Sequence, residues 1–360
     1  MSLSVSLQHQ FAGLTLDVAF DAPPGVTVLF GKSGTGKTTI INAVAGLLKP
    51  QGGRISLDDR VLVDTAQGIW QPPHKRRIGY IFQEDRLFPH LTVQQNLTYG
   101  QRFAPKGAPR DALDQVVDLL GIAPLLSRRP NLLSGGEKSR VAIGRAVLSA
   151  PDLILADEPL AALDAARKAE IMTYFERLRD EMSTPILYVS HSVAEVARLA
   201  TTVVAIENGS VARCGPAADT FADPAFLPLG AREAGALLEA RVITHHDDGL
   251  SELEAGGVPL FLPHVPQAPG RSLRVRIAAQ DVTLALDAPT RISALNVLSG
   301  RIDTIHAGAG PGAIVSVLTP AGPVLARVTA RSVKALDLRP GLPVHAIVKT
   351  VSIAPEDVGG

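Results

Sequence analysis

The sequence predicts an α/β fold built on a parallel sheet, with an antiparallel β layer ahead of it, a helical insert within it and a separate all-β module after it. Three observations predict this. A glycine-rich loop at 31–38 lies between a short apolar strand and a helix. Further apolar strands end in polar residues and are separated by segments of helical periodicity. Near 231–240 that periodicity stops, and short strand-like runs punctuated by Gly and Pro take over.

The loop reads Gly31-Lys32-Ser33-Gly34-Thr35-Gly36-Lys37-Thr38 and fits G-x-x-x-x-G-K-[ST]. Residues 25–30 before it have strand composition. A helix starting at Thr39 follows, with Pro50 and Gly52 past its end. In that setting successive amides and the helix N-terminus converge on the phosphates of a nucleotide. Lys37 is expected to reach the β/γ-phosphates, and Thr38 to hold Mg²⁺ through its hydroxyl. A turn that binds nothing is the plain alternative, but it would not require these flanks.

At 360 residues two or three domains are expected. Lys+Arg and Asp+Glu are both 35, which gives no electrostatic case for nucleic-acid binding. A single cysteine, Cys214, excludes an internal disulfide framework and fits a reducing compartment. The N-terminus lacks a signal-peptide layout, and no apolar run approaches the ~18 residues of a spanning helix. The expectation is a cytosolic protein whose membrane association comes through a partner.

In chain order, alternation at 5–7 and 14–20 predicts the antiparallel layer, with Phe11 between. Residues 53–59 read as a strand running into a turn, and 78–83 as a buried strand. Helices are expected at 93–99, 111–120 and 137–148, broken by Pro/Gly segments at 105–109 and 124–130. A strand at 153–156, a helix at 165–182 and a strand at 185–191 follow. Asn208-Gly209 marks a hairpin between 203–207 and 210–213. Later strands are expected at 273–277, 282–286, 313–318, 324–328 and 343–351. A faint echo between 276–282 and 327–333 leaves duplication and coincidence equally open.

The strand Leu153-Ile154-Leu155-Ala156 ends in Asp157-Glu158. Parallel strands present their carboxyl ends to a ligand crevice, so Asp157 is expected in the Mg²⁺ shell beside Thr38. Glu158 is the natural general base, orienting water toward the γ-phosphate. An acidic strand end facing solvent is the alternative. Ser134-Gly135-Gly136 opens a helix and offers a hydroxyl, exposed amides and a dipole, a second phosphate site. Two such sites in one chain make sense if subunits pair head-to-tail.

On Leu133-Ser134-Gly135-Gly136-Glu137 the chain resembles the ABC-transporter ATPase family, without a gap from residue 1 to about 230. The resemblance implies a P-loop NTPase fold that hydrolyses ATP with Mg²⁺ as a homodimer. It makes Gln83 the glutamine that touches the metal and senses a permease. It places Ala162-Leu163-Asp164 in the D-loop, and makes His191 the switch histidine at the γ-phosphate. Lys32 and Lys138 depart from a frequent proline and glutamine without blocking this chemistry. Phe11 is the one candidate for stacking on adenine.

Within the family the chain is most similar to the ATP-binding subunits of molybdate importers, through residues 76–90 and 187–192 and a C-terminal segment resembling the OB-like Mop domain. That implies residues 1–230 as the ATPase domain, 231–288 as a linker with an accessory β segment, and 289–355 as the Mop domain. It also implies integral-membrane permease partners, an indirect link to a periplasmic or extracellular molybdate-binding protein, and a peripheral place on the cytoplasmic membrane face. By the same resemblance Ser293, Ser332, Lys349 and Thr350 fall on oxyanion-contacting positions, while Leu295 stands where many Mop domains carry arginine. Import of another oxyanion or solute (sulfate, tungstate, sugar, polyamine) stays open. So do a soluble ABC ATPase of repair or translation and a molybdate-storage role.

Overall fold

A computed structural model describes the chain apart from residues 12, 104–111, 162, 182–183, 223–233, 308–309 and 360. The described chain divides into two compact units, Met1–His191 with Leu199–Cys214, and Ser192–Arg198 with Gly215–Gly360. The strands of the first part are β1 (Leu3–Phe11), β2 (Leu14–Ala22), β3 (Val26–Phe30), β4 (Gly52–Leu57), β5 (Arg60–Asp64), β6 (Ile69–Trp70), β7 (Ile78–Ile81), β8 (Leu153–Asp157), β9 (Ile186–Ser190), β10 (Thr202–Glu207) and β11 (Ser210–Pro216). Its helices are α1 (Lys37–Ala45), α2 (Val93–Thr98), α3 (Ala112–Leu119), α4 (Gly135–Val147) and α5 (Ala165–Glu181), while α6 (Val193–Leu199) falls almost wholly in the second unit.

The sheet order is β6-β5-β4-β1-β2-β11-β10-β3-β9-β8-β7. Strands β1, β2, β4, β5 and β6 pair antiparallel, and β10, β3, β9, β8 and β7 pair parallel. β1 and β2 bury alternate residues, so Val5 faces the core opposite Phe20 and Leu7 opposite Val18. β3, β8 and β9 are buried along their whole length, which is why they read as continuous apolar runs. Burying each Leu, Ile or Val there contributes about 1.5–3 kcal/mol.

The Asn208-Gly209 hairpin is present between β10 and β11, with φ of 48° and 81° at the two turn residues. A Cβ on Gly209 would lie 2.1 Å from the Thr15 carbonyl oxygen, so the position requires glycine. The expected turn after residue 59 is the start of a longer meander through β5 and β6. The helix expected from Thr39 begins two residues earlier, at Lys37. Asp111 and Met182, the expected ends of two helices, the Pro/Gly break at 105–109 and Ala162 of the D-loop segment lie outside the described residues.

Helix α1 is held at its far end by Arg76, which is fully buried. Its guanidinium donates to Ala43 O at 2.7 Å, Val44 O at 2.8 Å and Gln71 O at 2.7 Å. It thereby satisfies last-turn carbonyls and places a cation at the negative end of the helix dipole. Burial lowers its pKa to about 10. A Cβ on Gly46 would lie 2.6 Å from Arg76 Nε, so the C-cap glycine leaves room for this plug.

The second part holds α7 (Ala217–Ala222), β12 (Gly235–His245), β13 (Leu250–Ala255), β14 (Val258–Pro263), β15 (Ser272–Ala278), β16 (Val282–Ala285), β17 (Asn296–Ala307), β18 (Gly312–Thr319), β19 (Gly322–Thr329), α8 (Ala330–Ala335), β20 (Pro343–Val348) and β21 (Val358–Gly359). Its two sheets have the orders β14-β13-β12-β15-β21 and β19-β18-β17-β20-β16. These are the same arrangement twice, with the last strands exchanged: β16 completes the second sheet and β21 the first. Both long strands bulge at one place, Val242/Thr244 and Ile302/Thr304, within the matching strings Arg241-Val242-Ile243-Thr244 and Arg301-Ile302-Asp303-Thr304.

A repeat is therefore present, but 276–282 corresponds to the end of β20 and the turn after it. Residues 327–333 echo that segment because both are strands running into a helical turn. The exchange is fastened by Arg276 on β15, whose NH1 donates to Asp357 Oδ1 at 2.7 Å beside β21. Both sheets share one apolar core, with Leu253, Val275, Val315, Val324 and Val348 all fully buried.

Candidate active site

The parallel register builds the site. Phe30 pairs with Ser190, Asp157 with Val189 and Ile81 with Ala156, so β3, β9, β8 and β7 end at one sheet edge. The loop 31–36, Gln83, Glu158 and His191 leave from that edge. Gly36 caps α1 with φ of 100°, and a Cβ there would lie 2.8 Å from Leu16 Cδ1. On Gly31 a Cβ would lie 2.3 Å from Ile206 O. These glycines let the loop fold tightly between β2, β10 and α1.

Lys37 is buried, and its Nζ donates to the carbonyls of Gly31 and Lys32 at 2.7 Å each. Burial lowers its pKa, opposed by the nearby Glu158 and Asp157 carboxylates. Thr35 Oγ1 donates to Lys32 O at 2.9 Å, closing the loop on itself. Lys32, Ser33, Gly34 and Thr38 are exposed, and Thr39 is half-buried. Thr38 Oγ1 donates to Asp157 Oδ1 at 3.2 Å, joining the loop to the end of β8. Burial raises the Asp157 pKa, while hydrogen bonds from Thr38 and Tyr80 oppose the rise.

Glu158 has φ of 45°, a sparsely populated conformation for a non-glycine residue. Its amide donates to Val189 O at 3.1 Å, which pins the turn, and its side chain points to His191, with Oε2 3.2 Å from Nδ1. His191 is half exposed and Gln83 is exposed, so both are open to a ligand. The strand ends therefore present a hydroxyl, two carboxylates, an imidazole and an amide on the side of the sheet from which the loop 31–36 leaves.

Ser134 lies elsewhere in this unit. It caps α4, which packs against β7, the edge strand three places from β3. Ser134 Oγ accepts from Glu137 N at 3.3 Å, and Ser134 N donates to Glu137 Oε2 at 2.6 Å. This capping box was present in the sequence as S-x-x-E and was not used there. The backbone hydrogen bond from Ser134 lowers the Glu137 pKa. Ser134 and Gly135 are exposed, while Gly136 is buried. The same helix grips the segment after Gln83: Ser139 Oγ donates to Asp85 Oδ1 at 3.0 Å, and Arg145 donates to the Asp85 and Arg86 carbonyls.

Asp164 has a structural task, accepting from Arg167 N at 3.0 Å at the start of α5. Phe11 sits at the end of β1 opposite Leu14, its ring 5.7 Å from that of His9. In the second part, Asn296 is fully buried. Its Oδ1 accepts from Phe261 N at 2.7 Å and its Nδ2 donates to Phe261 O at 2.9 Å, with Thr350 Oγ1 3.5 Å away. Thr350 is buried, Lys349 and Ser293 are exposed, and Leu295 is 51 % exposed. Ser332 shares a 2.8 Å hydroxyl contact with Thr329 at the start of α8.

The ABC transporter family model matches residues 16–161, and the TOBE domain model matches residues 292–355. The chain is 50% identical over 354 residues to the molybdenum import ATP-binding protein ModC of Rhizobium etli, covering 98% of this chain and 99% of that one. It is 45% identical to the protein of that name from Yersinia pseudotuberculosis, covering 97% of each. A dimeric post-hydrolysis structure of an ATP-binding cassette bound to ADP and Pi superposes with a TM-score of 0.51 at 26% identity, covering 60% of this chain and 98% of that one. For cbiO1 from Clostridium perfringens, part of the ABC transporter complex cbiONQ, the TM-score is 0.53 at 27% identity, covering 61% and 90%.

Proposed function

The chain belongs to the ABC-transporter family of molybdenum import ATP-binding proteins, and from that premise we propose that it hydrolyses ATP to drive molybdate through a membrane permease. The observation that carries the mechanism is the single edge on which the loop 31–38, Thr38, Asp157, Glu158, His191 and Gln83 meet. The Lys37 ammonium is already aimed into the loop, where it would be shared with the β- and γ-phosphates. The amides of 33–39 and the start of α1 would hold the remaining phosphate oxygens.

Thr38 and Asp157 supply hard oxygens 3.2 Å apart, a donor set that fits Mg²⁺, and Gln83, two residues past the end of β7, would complete it. Bound there, the ion would offset charge on the transferring phosphoryl group. Glu158 would orient the attacking water and take its proton. The His191 contact would keep the Glu158 carboxylate turned toward that water.

Two chains would pair so that Ser134, Gly135 and Gly136 of one meet the nucleotide on the other, with Asp164 at the junction. No described helix is long and apolar enough to cross a membrane. Permease subunits would therefore hold the dimer on the cytoplasmic face, receiving molybdate from an external binding protein. Mixing Lys37→Ala and Ser134→Arg chains gives heterodimers with one intact composite site. The expected ATPase activity of the mixture exceeds that of either parent, whereas a mixture no better than its parents contradicts the pairing.

Residues 1–230 would form the ATPase domain and 289–355 the Mop domain, with 231–288 not a linker but folded into the same core through β12–β16. In the Mop domain Ser293, Ser332, Lys349 and Thr350 would receive the oxyanion as charge-assisted and hydroxyl donors. The exposed position of Lys349 supports this reading. Calorimetric titration of the full chain with molybdate is expected to show binding that Lys349→Ala weakens about tenfold or more. Unchanged binding in that variant would remove Lys349 from the site.

A further inference from the structure

Asp164 and the segment Ser134-Gly135-Gly136 belong to different helix starts, and one side chain, Arg167, touches both. Arg167 stands in the first turn of α5, where its amide donates to Asp164 Oδ1 at 3.0 Å. Its Nη1 lies 3.3 Å from Asp164 Oδ2, so amide and guanidinium together hold both carboxylate oxygens. The stem runs across α4. A Cβ on Gly136 would lie 3.4 Å from Arg167 Cδ and 3.7 Å from Cγ, which is van der Waals contact. About one turn further along, Arg140 of α4 pairs with Glu170 of α5 at 3.0 Å. By their spacing Gly136 and Arg140 share one face of α4, and Arg167 and Glu170 one face of α5. The starts of the two helices are thus braced against each other twice.

A guanidinium close to the positive end of α4 is disfavoured by the helix dipole, so α4 alone does not hold it there. Asp164 does. Both side chains are about half exposed, at 50 % and 55 %, and an ion pair in that setting contributes little to the stability of a free chain. The arrangement matters where a second surface arrives and excludes water. We propose that Arg167 is a positioning residue for subunit pairing. It locks Asp164 onto the Ser134-Gly135-Gly136 end of α4, so that both segments meet the partner as one rigid surface. Groups ordered before association spare the complex the entropy of ordering them during it.

The inference rests on the head-to-tail pairing proposed above, and the experiment separates the two. The full-length protein carrying Glu158→Gln serves as parent. Its dimer dissociation constant in ATP is measured by sedimentation, alone and with Arg167→Ala, Asp164→Ala or both. Alanine suits the first turn of a helix, and the melting temperature without nucleotide reports any loss of fold. Arg167→Ala is expected to weaken the dimer about tenfold. Its melting temperature and the ATP affinity of the dilute monomer should stay at the parent's values. Asp164→Ala is expected to lose at least as much, and adding Arg167→Ala to it should weaken the dimer little further, because the two act as a unit. Parent-like dimerisation in Arg167→Ala, or losses that add in the double variant, overturns the inference and leaves the pairing intact. A clearly lower melting temperature in Arg167→Ala makes the residue a structural one and overturns it as well. Absence of an ATP-dependent dimer in Glu158→Gln itself overturns the pairing on which it rests.

Discussion

Glu158→Gln is expected to bind ATP as the parent does and to lose about 10²–10⁴-fold in turnover. The substitution keeps the size of the side chain and removes the group that can take a proton from water. The positive φ at Glu158 and its amide bond to Val189 belong to the backbone, so the glutamine should occupy the same place. ATP should then hold two subunits together, because hydrolysis is the event that releases them. Size-exclusion chromatography with ATP would show a persistent dimer for the variant and a transient one for the parent. Near-parent ATPase activity in Glu158→Gln would remove it from the role of base.

Lys37→Ala is expected to fail one step earlier. Its Nζ holds the Gly31 and Lys32 carbonyls at 2.7 Å each, so the side chain both braces the loop and supplies its buried cation. Charge-assisted hydrogen bonds contribute about 1.5–3 kcal/mol each, and loss of one or two corresponds to roughly 10²-fold weaker ATP binding. Fluorescence titration with a nucleotide analogue measures this directly, and parent-like affinity would contradict the assignment. The two variants thus separate binding from chemistry at neighbouring positions.

The parts of the site visible in the sequence are those whose chemistry is written in a local string. The loop 31–38 and the pair Asp157-Glu158 need only a strand on one side and a turn or helix on the other, and those flanks are apolar enough to read directly. Their convergence followed from the rule for parallel strands, and the register of β3, β9, β8 and β7 brings the strand ends to one edge. Other features depend on partners far away in sequence. The plug of Arg76 under α1 is 30 residues from the C-cap glycine it packs against, and no local pattern marks it. Tyr80 looked like one aromatic in a buried strand, because its partner Asn42 comes from another element.

In the all-β part the strings for β15, β16, β18, β19 and β20 were readable by alternation. β12, β13, β14 and β17 were passed over, although Leu238, Ala240 and Val242 alternate inward as clearly as the others. The exchange of β16 and β21 was illegible for a physical reason: hydrophobic alternation says which face of a strand is buried, but nothing about which neighbour it pairs with. Asn296 lies in the segment that carries the resemblance to the Mop domain, and nothing in the local string assigns it a partner. In the structure its amide substitutes for a strand partner of Phe261, a use that depends on β14 being present.

The most direct measurement of the central claim is uptake of labelled molybdate into proteoliposomes that contain this chain with its matching permease and external binding protein. With ATP and Mg²⁺ on the side of the ATPase, the account predicts molybdate accumulation that excess sulfate does not suppress and that Glu158→Gln abolishes. ATP hydrolysis without molybdate accumulation, or accumulation that persists in Glu158→Gln, would contradict it.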